Sequence, residues 1–377
     1  MKLKTLKLLI LLPLLITCHS DQSTEPNFIE VGKGFFTVLP LDPDDFNLLV
    51  NLGHLSHPGH TFPSAHGGFV LTDYMERVPV LSPADMDITQ VTEGGATDVD
   101  YVEYTLRLSV NDREFSIMLG HMSALHPDIL EAVRAVQQEK DCETYTTGGH
   151  TFSLCSTHTR IPVSAGDTLG MAGGNPGQLG LDFGVYDLTA DYPWATTRFS
   201  NTLYKYAVSP LDYFTDEITS ILIPRTGDFF CNGIPTVRTK PPIGGTHCYD
   251  VPGTAQGIWF LRDAPDNPED PHIAFIYHNV DPDVPIVSMG TSVPGLTTGP
   301  YSYTPVDTGT VNPIFTHVKP DGHDYRFHVK YLCSGGDNRD AVLLVRMMDD
   351  KTLMLEKQSP DNGPPWEFTG NEVIFER

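Results

Sequence analysis

The sequence predicts a mainly all-β protein with two domains, on three observations. A chain of 377 residues is long enough for two domains. Its 33 glycines and 31 prolines favour short strands joined by turns, which excludes all-α and coiled-coil architectures. Hydrophobic residues make up 40% of the chain and charged residues 19%, so it can bury sizeable cores. The formal net charge of −24 excludes a general nucleic-acid binder, because phosphate recognition needs a cationic face.

Residues 1–17 have the composition of a secretory signal peptide. They read MKLKTLKLLILLPLLIT, in which three lysines accompany an apolar run of about ten residues, too short to span a bilayer. Cys18 follows this run. The segment resembles a bacterial lipobox, in which the cysteine is acylated, although Thr17 replaces the Gly, Ala or Ser usual before it. We therefore expect an exported cell-envelope lipoprotein, anchored to a membrane through Cys18 and continuing in a linker over 18–27. Simple secretion is the alternative.

Residues 28–210 carry repeated short apolar runs separated by turns, which predicts an antiparallel β-sheet domain. Polar and apolar residues alternate over 101–108, the period of a strand with one wet and one buried face. One helix is predicted as an insertion over 126–140, where apolar residues recur at helical spacing after Pro127 and Asp128: Ile129, Leu130, Val133 and Val136.

Residues 218–377 form a second strand-rich block, with the boundary near 209–214. Turn signals separate candidate strands at intervals of about ten residues, which fits a small β-barrel or β-sandwich. The opening QGIWF, residues 256–260, is faintly similar to the first strand of lipocalin-like or avidin-like barrels. A carrier of a small apolar ligand is therefore one functional hypothesis for this block.

Six cysteines in an exported chain favour disulfides. Cys142 and Cys155 flank a Gly-Gly turn, and Cys231 and Cys248 bracket a Pro/Gly-rich loop, so we expect both pairs to be bridged locally. Cys333 is then left over. A cysteine-based metal site or nucleophile is the alternative, which the absence of any CxxC spacing disfavours.

Histidines are concentrated in one short segment. His54, His57, His60 and His66 fall within thirteen positions, and His121 follows later. Such clusters are candidates for a metal site, because neutral imidazole binds zinc well and several ligands must converge. A solvated loop is the alternative reading, because the segment lacks a helical HExxH arrangement.

The order of four segments resembles a known family. AHGGFVL, VPVLSPADMDIT, SIMLGHMSAL and VSAGDTLGMAGGNPGQLGLDFGVYDL follow one another over residues 50–190. This series is similar to the landmarks of the lysostaphin-like zinc peptidases of family M23. The resemblance implies an antiparallel β-sheet domain and an ancestry among zinc endopeptidases that cut peptidoglycan cross-links.

The metal and catalytic motifs of that family are eroded here. His66 falls on the first zinc-ligand histidine, but Val70 takes the place of the aspartate ligand and cannot bind a metal. His121 falls on the first catalytic histidine. Gly180 replaces the second catalytic histidine, and Asp182 replaces the last zinc-ligand histidine.

These losses predict a catalytically degenerate envelope protein that binds peptide or peptidoglycan and needs no cofactor. The main alternative is an active metallopeptidase with a rearranged zinc site. Because a catalytic zinc needs three protein ligands and an open position, that site would consist of His60, His66 and Asp182, with His121 as the catalytic residue.

Overall fold

The computed structural model describes residues 29–111, 114–136, 140–199, 201–229, 233–333, 340–360 and 363–377. The predicted signal peptide and Cys18 lie outside these residues. Strands dominate the described part, which confirms the mainly all-β prediction. No helix in these ranges is both long enough and apolar enough to cross a membrane.

A large sheet contains the first thirteen strands of the described chain. They are β1 (Phe46–Val50), β2 (Gly67–Leu71), β3 (Val78–Leu81), β4 (Met86–Ala96), β5 (Glu103–Val110), β6 (Phe115–Leu125), β7 (Asp141–Thr147), β8 (His150–Val163), β9 (Thr168–Ala172), β10 (Gly180–Asp187), β11 (Ala207–Val208), β12 (Thr226–Asp228) and β13 (Thr236–Val237). The spatial order along the main path is β13-β12-β1-β2-β10-β6-β5-β4-β8-β7. The predicted antiparallel pairing holds across this path except that β1 and β12 pair in parallel.

One face of this sheet packs on an apolar core, as the alternation in β5 predicts. Leu106 and Leu108 are fully buried, whereas Thr105 and Arg107 on the other face are partly exposed. Burying two leucines in this way contributes about 2 kcal/mol each. The polar face of β5 is therefore free to take part in a site.

Two α-helices flank the sheet in the described residues. The first, α1 (Pro127–Ala135), has Ile129 and Val133 buried as predicted but is shorter than 126–140. It ends early because Val136 adopts an extended backbone. The second, α2 (Asp216–Leu222), was not predicted; the Thr215 hydroxyl caps it by accepting a hydrogen bond from the Ile218 amide at 3.4 Å.

The second unit is a closed antiparallel barrel, which resolves the predicted choice between barrel and sandwich. Its strands are β14 (Gly257–Leu261), β15 (Ile273–Tyr277), β16 (Pro285–Met289), β17 (Gly299–Ser302), β18 (Tyr325–Tyr331), β19 (Ala341–Asp349), β20 (Thr352–Gln358) and β21 (Val373–Glu376). Pairing of β14 with β21 closes it. The passage from sheet to barrel lies between Val237 and Gly257, later than the predicted boundary, because β12 and β13 still pair within the sheet.

Polar contacts join the sheet and the barrel at several places, two of which are at the barrel loop residues Asn279 and Asp270. At the first, the Asn279 carbonyl accepts from Asn51 Nδ2 at 3.1 Å and from Arg238 Nη1 at 2.5 Å, and Asn279 Nδ2 donates to Asp228 Oδ2 at 3.0 Å. These four residues are almost fully buried. At the second, the Asp270 carboxylate accepts from the tip of the β7–β8 hairpin. Together they hold the two units around the cleft described below.

Only one of the two expected disulfides is present in the described residues. Cys142 and Cys155 are directly opposite on β7 and β8 and are bridged, which confirms that prediction. The predicted Cys231–Cys248 pair is wrong, because Cys248 is a free thiol and Cys333 is disulfide-bonded instead. The Cys248 side chain is partly buried, with its sulfur near the backbone of Asp250. Cys231 itself lies outside the described residues.

Candidate functional site

A cleft of about 970 Å³ lies between the polar face of the large sheet and the barrel. Its floor runs across β7, β8, β4, β5, β6 and β10, and its walls are the histidine-rich loop 54–66 and one side of the barrel. The side chains that line its floor at the hairpin end alternate along β7 and β8: Glu143, Tyr145, Thr147, His150, Phe152 and Leu154. The cleft therefore depends on both units.

A β-bulge on β6 places His121 on the floor of the cleft. Along β5 and β6, Leu106 pairs with Leu119 but Tyr104 pairs with Met122. Moving two residues along β5 therefore corresponds to moving three residues along β6, and the extra residue on β6 is the bulge. His121 takes a left-handed backbone with φ of 60°, which is uncommon for a residue with a side chain. Such strain persists where the surrounding structure enforces it and is typical of functional sites.

His121 is held between two carboxylates. Its Nδ1 lies 2.6 Å from Glu103 Oε2, and its Nε2 lies 3.3 Å from Asp182 Oδ2. Gln178 Nε2 also donates to Glu103 Oε2. The charge of Asp182, opposed by burial and assisted by the hydrogen bond to Glu103, raises the pKa of His121 to about 9. The ring is therefore an imidazolium at neutral pH and donates from both nitrogens.

Glycines make room for this ion pair. Gly120 on β6 and Gly68 on β2 are the direct neighbours of Asp182 on β10. A Cβ at Gly120 would lie 3.1 Å from the Cβ of Asp182, which is closer than ordinary contacts. The absence of a side chain there lets Asp182 turn towards His121.

Three more imidazoles lie beside this pair. The ring centroids of His60 and His66 are 5.7 Å apart, and those of His54 and His66 are 6.0 Å apart. Burial lowers the pKa of His54 to about 3 and also lowers that of His66. Burial acts the same way on His60, but the neighbouring carboxylate of Glu269 outweighs it and raises the pKa.

The four predicted site residues thus share one cleft, but each has another contact. Asp182 pairs with His121, His60 lies 3.7 Å from Glu269 Oε2, and His66 Nδ1 lies 3.2 Å from the Gly67 carbonyl oxygen. Within the described chain, no group of three or more His, Cys, Asp or Glu side chains is arranged to hold a metal. These residues as placed do not fit a tetrahedral zinc site.

Two positions at which the resemblance would place polar site residues are neighbours in the sheet. Val70 on β2 lies directly opposite Gly180 on β10, so the two positions without a polar side chain meet at one spot in the sheet. Neither position offers a metal ligand or a proton-transfer group. His121 cannot compensate as a general base at neutral pH, because both of its nitrogens already carry protons.

Sequence reasoning missed two carboxylates of the site. Glu103 lies on the polar face of the alternating strand β5. Its place on that face is the sequence signal that could have identified it as a site residue. Glu269 comes from the barrel loop before β15; its Oε2 accepts from the Phe62 amide at 3.0 Å. No local pattern connects Glu269 to the histidine loop, since the two are about 200 residues apart in the sequence.

Aromatic side chains line parts of the cleft. Phe199 and Tyr204 stack with centroids 5.7 Å apart, and Phe260 lies on the same side. Across the cleft, Tyr145 and Phe152 stack at 5.5 Å. These aromatic faces suit a ligand that buries apolar surface, and the polar side chains of the floor can orient it through hydrogen bonds. No protein-family model matches the chain, and neither the curated proteins nor the solved structures give a match to it.

Proposed function

We propose that the chain is an exported bacterial cell-envelope protein, related to the M23 zinc endopeptidases, that binds peptide of the cell wall without cutting it. The observation that carries this proposal is the ion pair between His121 and Asp182. The resemblance assigns these positions to a catalytic histidine and to a zinc ligand. Here the two side chains satisfy each other, so neither is free for metal-assisted hydrolysis.

Loss of hydrolysis follows from what metal catalysis requires. A catalytic zinc needs three protein ligands and a position open to water, with further groups that deprotonate the water and stabilise the oxyanion. Val70 and Gly180 supply neither a ligand nor a donor, and no group of described residues replaces them. Binding of peptide needs none of these groups.

The cleft itself supports a binding role. Its volume of about 970 Å³ lies in the range of ligand pockets, about 300–1,000 Å³. The floor is a wide polar sheet face, while the opposite side carries Phe199, Tyr204 and Phe260. In this proposal the lipid on Cys18 would keep the cleft near the envelope that it binds.

Binding and metal content of the mature protein test the proposal. We expect it to cosediment with purified peptidoglycan, to release no new peptide ends, and to contain well under one zinc per chain. His121→Ala should weaken binding, whereas His323→Ala, at an exposed residue that does not line the cleft, should not. About one zinc per chain that is lost in His66→Ala, together with zinc-dependent cleavage, would contradict the proposal.

The second candidate is a metallopeptidase with a rearranged site. It is favoured by the proximity of His54, His60 and His66 and by the low pKa of His54 and His66, because zinc binds neutral imidazole. It requires His60 to leave Glu269 and Asp182 to leave His121. The third hypothesis, an apolar-ligand carrier, gains no support from the barrel, whose interior is filled by its own side chains, including Trp259 and Phe327.

A further inference from the structure

One phenol on the floor of the cleft is buried but has no partner. Tyr186 lies on β10, lines the cleft and is 3% exposed. Within the described part of the chain, its hydroxyl makes no hydrogen bond, and its oxygen is not completely enclosed by protein atoms. The hydroxyl is therefore available to a ligand on the floor, because no protein group has to be displaced first.

Other buried donors near Tyr186 are already in use. The Tyr204 hydroxyl donates to the Pro63 carbonyl oxygen at 2.5 Å. Both ring nitrogens of His121 face carboxylates, one of Glu103 and one of Asp182. A ligand that took a hydrogen bond from any of these groups would break a contact within the protein, and the Tyr186 hydroxyl carries no such cost.

Packing holds the Tyr186 ring in place before a ligand arrives. Gly184 precedes it by two positions on the same face of β10, and a Cβ at Gly184 would lie 2.6 Å from the Tyr186 oxygen. The phenol therefore lies over the glycine. Arg107 Cζ is 5.4 Å from the ring centroid, and the ring belongs to a buried cluster with Ala65 and Ala207. A donor fixed by its surroundings loses little conformational entropy on binding.

The phenol is close to the ion pair of the site along the same strand. Asp182, Gly184 and Tyr186 face the cleft together, because alternate residues of a strand share a face. On the neighbouring β6, Gly120 lies opposite Asp182 and Met118 lies opposite Gly184. Gly184, under the phenol, is two residues from Asp182, or about 7 Å along the strand. An extended peptide covers this distance with two residues, so it can contact the phenol and the ion pair at once.

The hydroxyl is a donor at neutral pH. Burial raises the pKa of Tyr186 to about 12, with an opposing effect from Arg107 and a further rise from the charge of Asp182. The same negative charge repels a ligand carboxylate. A neutral carbonyl oxygen avoids this repulsion and accepts a hydrogen bond from a phenol. Every peptide presents such oxygens along its backbone.

We propose that Tyr186 is a ligand-binding residue whose hydroxyl donates a hydrogen bond to a backbone carbonyl of the bound peptide. This inference rests on the proposed peptide-binding function and names the group of the peptide that this part of the floor recognises. One hydrogen bond between neutral groups changes Kd about fivefold. The glycine at position 184 keeps the phenol in the position from which it donates.

Sedimentation of the mature protein with purified peptidoglycan, over a series of concentrations, gives an apparent Kd for each variant. Tyr186→Phe removes only the oxygen and should raise this Kd about fivefold. The matched control is Tyr325→Phe, which removes a phenol oxygen from a buried barrel residue outside the cleft and should leave the Kd unchanged.

A second pair of variants tests the position of the ring. Gly184→Ala should raise the Kd at least as much as Tyr186→Phe, because the added Cβ displaces the phenol. Gly32→Ala, which meets nothing within 4 Å, should leave it unchanged. Thermal unfolding identifies any variant that does not fold, and Tyr186→Phe, which adds no atom, carries the test if Gly184→Ala fails to fold.

A direct contact is measured by NMR on protein labelled with 13C at the Cζ of tyrosine. The Tyr186 resonance is the one that is absent from Tyr186→Phe. Soluble peptides released from peptidoglycan by an amidase should shift this resonance, because the Cζ shift responds to a new hydrogen bond at the hydroxyl. The Tyr325 resonance should stay in place. A purely structural role of Tyr186 would not move its resonance in this way.

The outcomes distinguish this inference from the proposed function. Equal Kd values for Tyr186→Phe and the parent protein would overturn the inference and leave peptide binding standing. A weaker Tyr186→Phe with an unmoved Tyr186 resonance in the parent protein would also overturn it, since the hydroxyl would then act through the fold. An equal loss in Tyr325→Phe would overturn the assignment to the cleft. Failure of the parent protein to bind peptidoglycan and its peptides would overturn both proposals.

Discussion

A buried carboxyl at the junction of sheet and barrel should make the stability of the whole protein depend on pH. Asp228 is 3% exposed. Its Oδ2 accepts from Asn279 Nδ2 at 3.0 Å, and its Oδ1 accepts from the Phe229 amide at 2.7 Å. Burial outweighs these two hydrogen bonds and raises the pKa of Asp228 to about 7, from the ordinary value of 3.8. The perturbation that tests this is Asp228→Asn.

The size of the effect follows from the difference between the folded and unfolded pKa. A shift from 3.8 to about 7 corresponds to about 4 kcal/mol of folding free energy. Because the folded pKa is the higher one, the folded protein binds more protons between these values. The contribution of Asp228 is therefore fully present below about pH 4 and is lost as the pH rises through about 7. Asparagine cannot ionise and lacks this dependence.

Urea unfolding at pH 4 and pH 8 measures this pH dependence of the unfolding free energy. The buried Trp259 of the barrel supplies the fluorescence signal. The unfolding free energy of Asp228→Asn minus that of the parent protein should become more positive by up to about 4 kcal/mol from pH 4 to pH 8. Asp128→Asn, an exposed carboxyl, should show no such change. If Asp228→Asn and the parent protein lose stability in parallel over this range, the carboxyl is not held protonated by burial and the reasoning is refuted.

Three further predictions concern the site and its surroundings. Asp182→Asn should lower the pKa of His121 from about 9, because the charge of Asp182 is the main cause of the raised value. Titration of the His121 imidazole followed by NMR measures this pKa, and an unchanged value would contradict the prediction. Asp270→Ala removes the acceptor of the Gly148 amide and should speed hydrogen exchange at the hairpin tip about tenfold; unchanged exchange would mean that this contact does not hold the tip. Burial raises the pKa of Cys248 to about 12, so the thiol should resist alkylation in the native protein and react after unfolding without reductant. Peptide mapping of the alkylated protein checks this, and rapid labelling of the native protein would show that the thiol is exposed.

Local sequence patterns predicted the β architecture because strands and tight turns have short-range signals. The alternation over 101–108 located β5, and the Gly-Gly turn predicted a hairpin whose opposite positions, Cys142 and Cys155, are bridged. The helix α2 had a comparable signal in Thr215 followed by two acidic residues, a cap pattern that was not used. Elements of this kind can be predicted from a single chain.

Long-range contacts could not be predicted in this way. The disulfide of Cys333 and the free thiol of Cys248 depend on how the loops pack, not on spacing along the chain. The pairing of β1 with β12 joins residues that are about 180 positions apart, and it moved the boundary between the units. Glu269 enters the cleft from the barrel for the same reason.

The site was predicted in part. That His66, His121 and Asp182 should lie together followed from the resemblance and not from any spacing rule. The bulge that turns His121 towards Asp182 depends on an extra residue in one strand, which the alternation alone does not reveal. The ion pair between His121 and Asp182 is the observation that favours the proposed binding role over the rearranged zinc site, and it is visible only in the three-dimensional geometry.

Val70 and Gly180, the positions at which the resemblance would place a metal ligand and a catalytic histidine, are connected by the sheet. A Cβ at Gly180 would lie 2.0 Å from the carbonyl oxygen of Phe69, the residue before Val70, so no side chain fits at Gly180 while β2 and β10 pair as they do. A histidine there would have to shift the backbone of β2, which also carries Val70. A metal-binding side chain introduced at Val70 alone would lie opposite Gly180, which has no side chain. Asp182 would still be paired with His121. The strand spacing therefore keeps a side chain out of position 180, and a replacement at Val70 alone would not assemble a set of metal ligands.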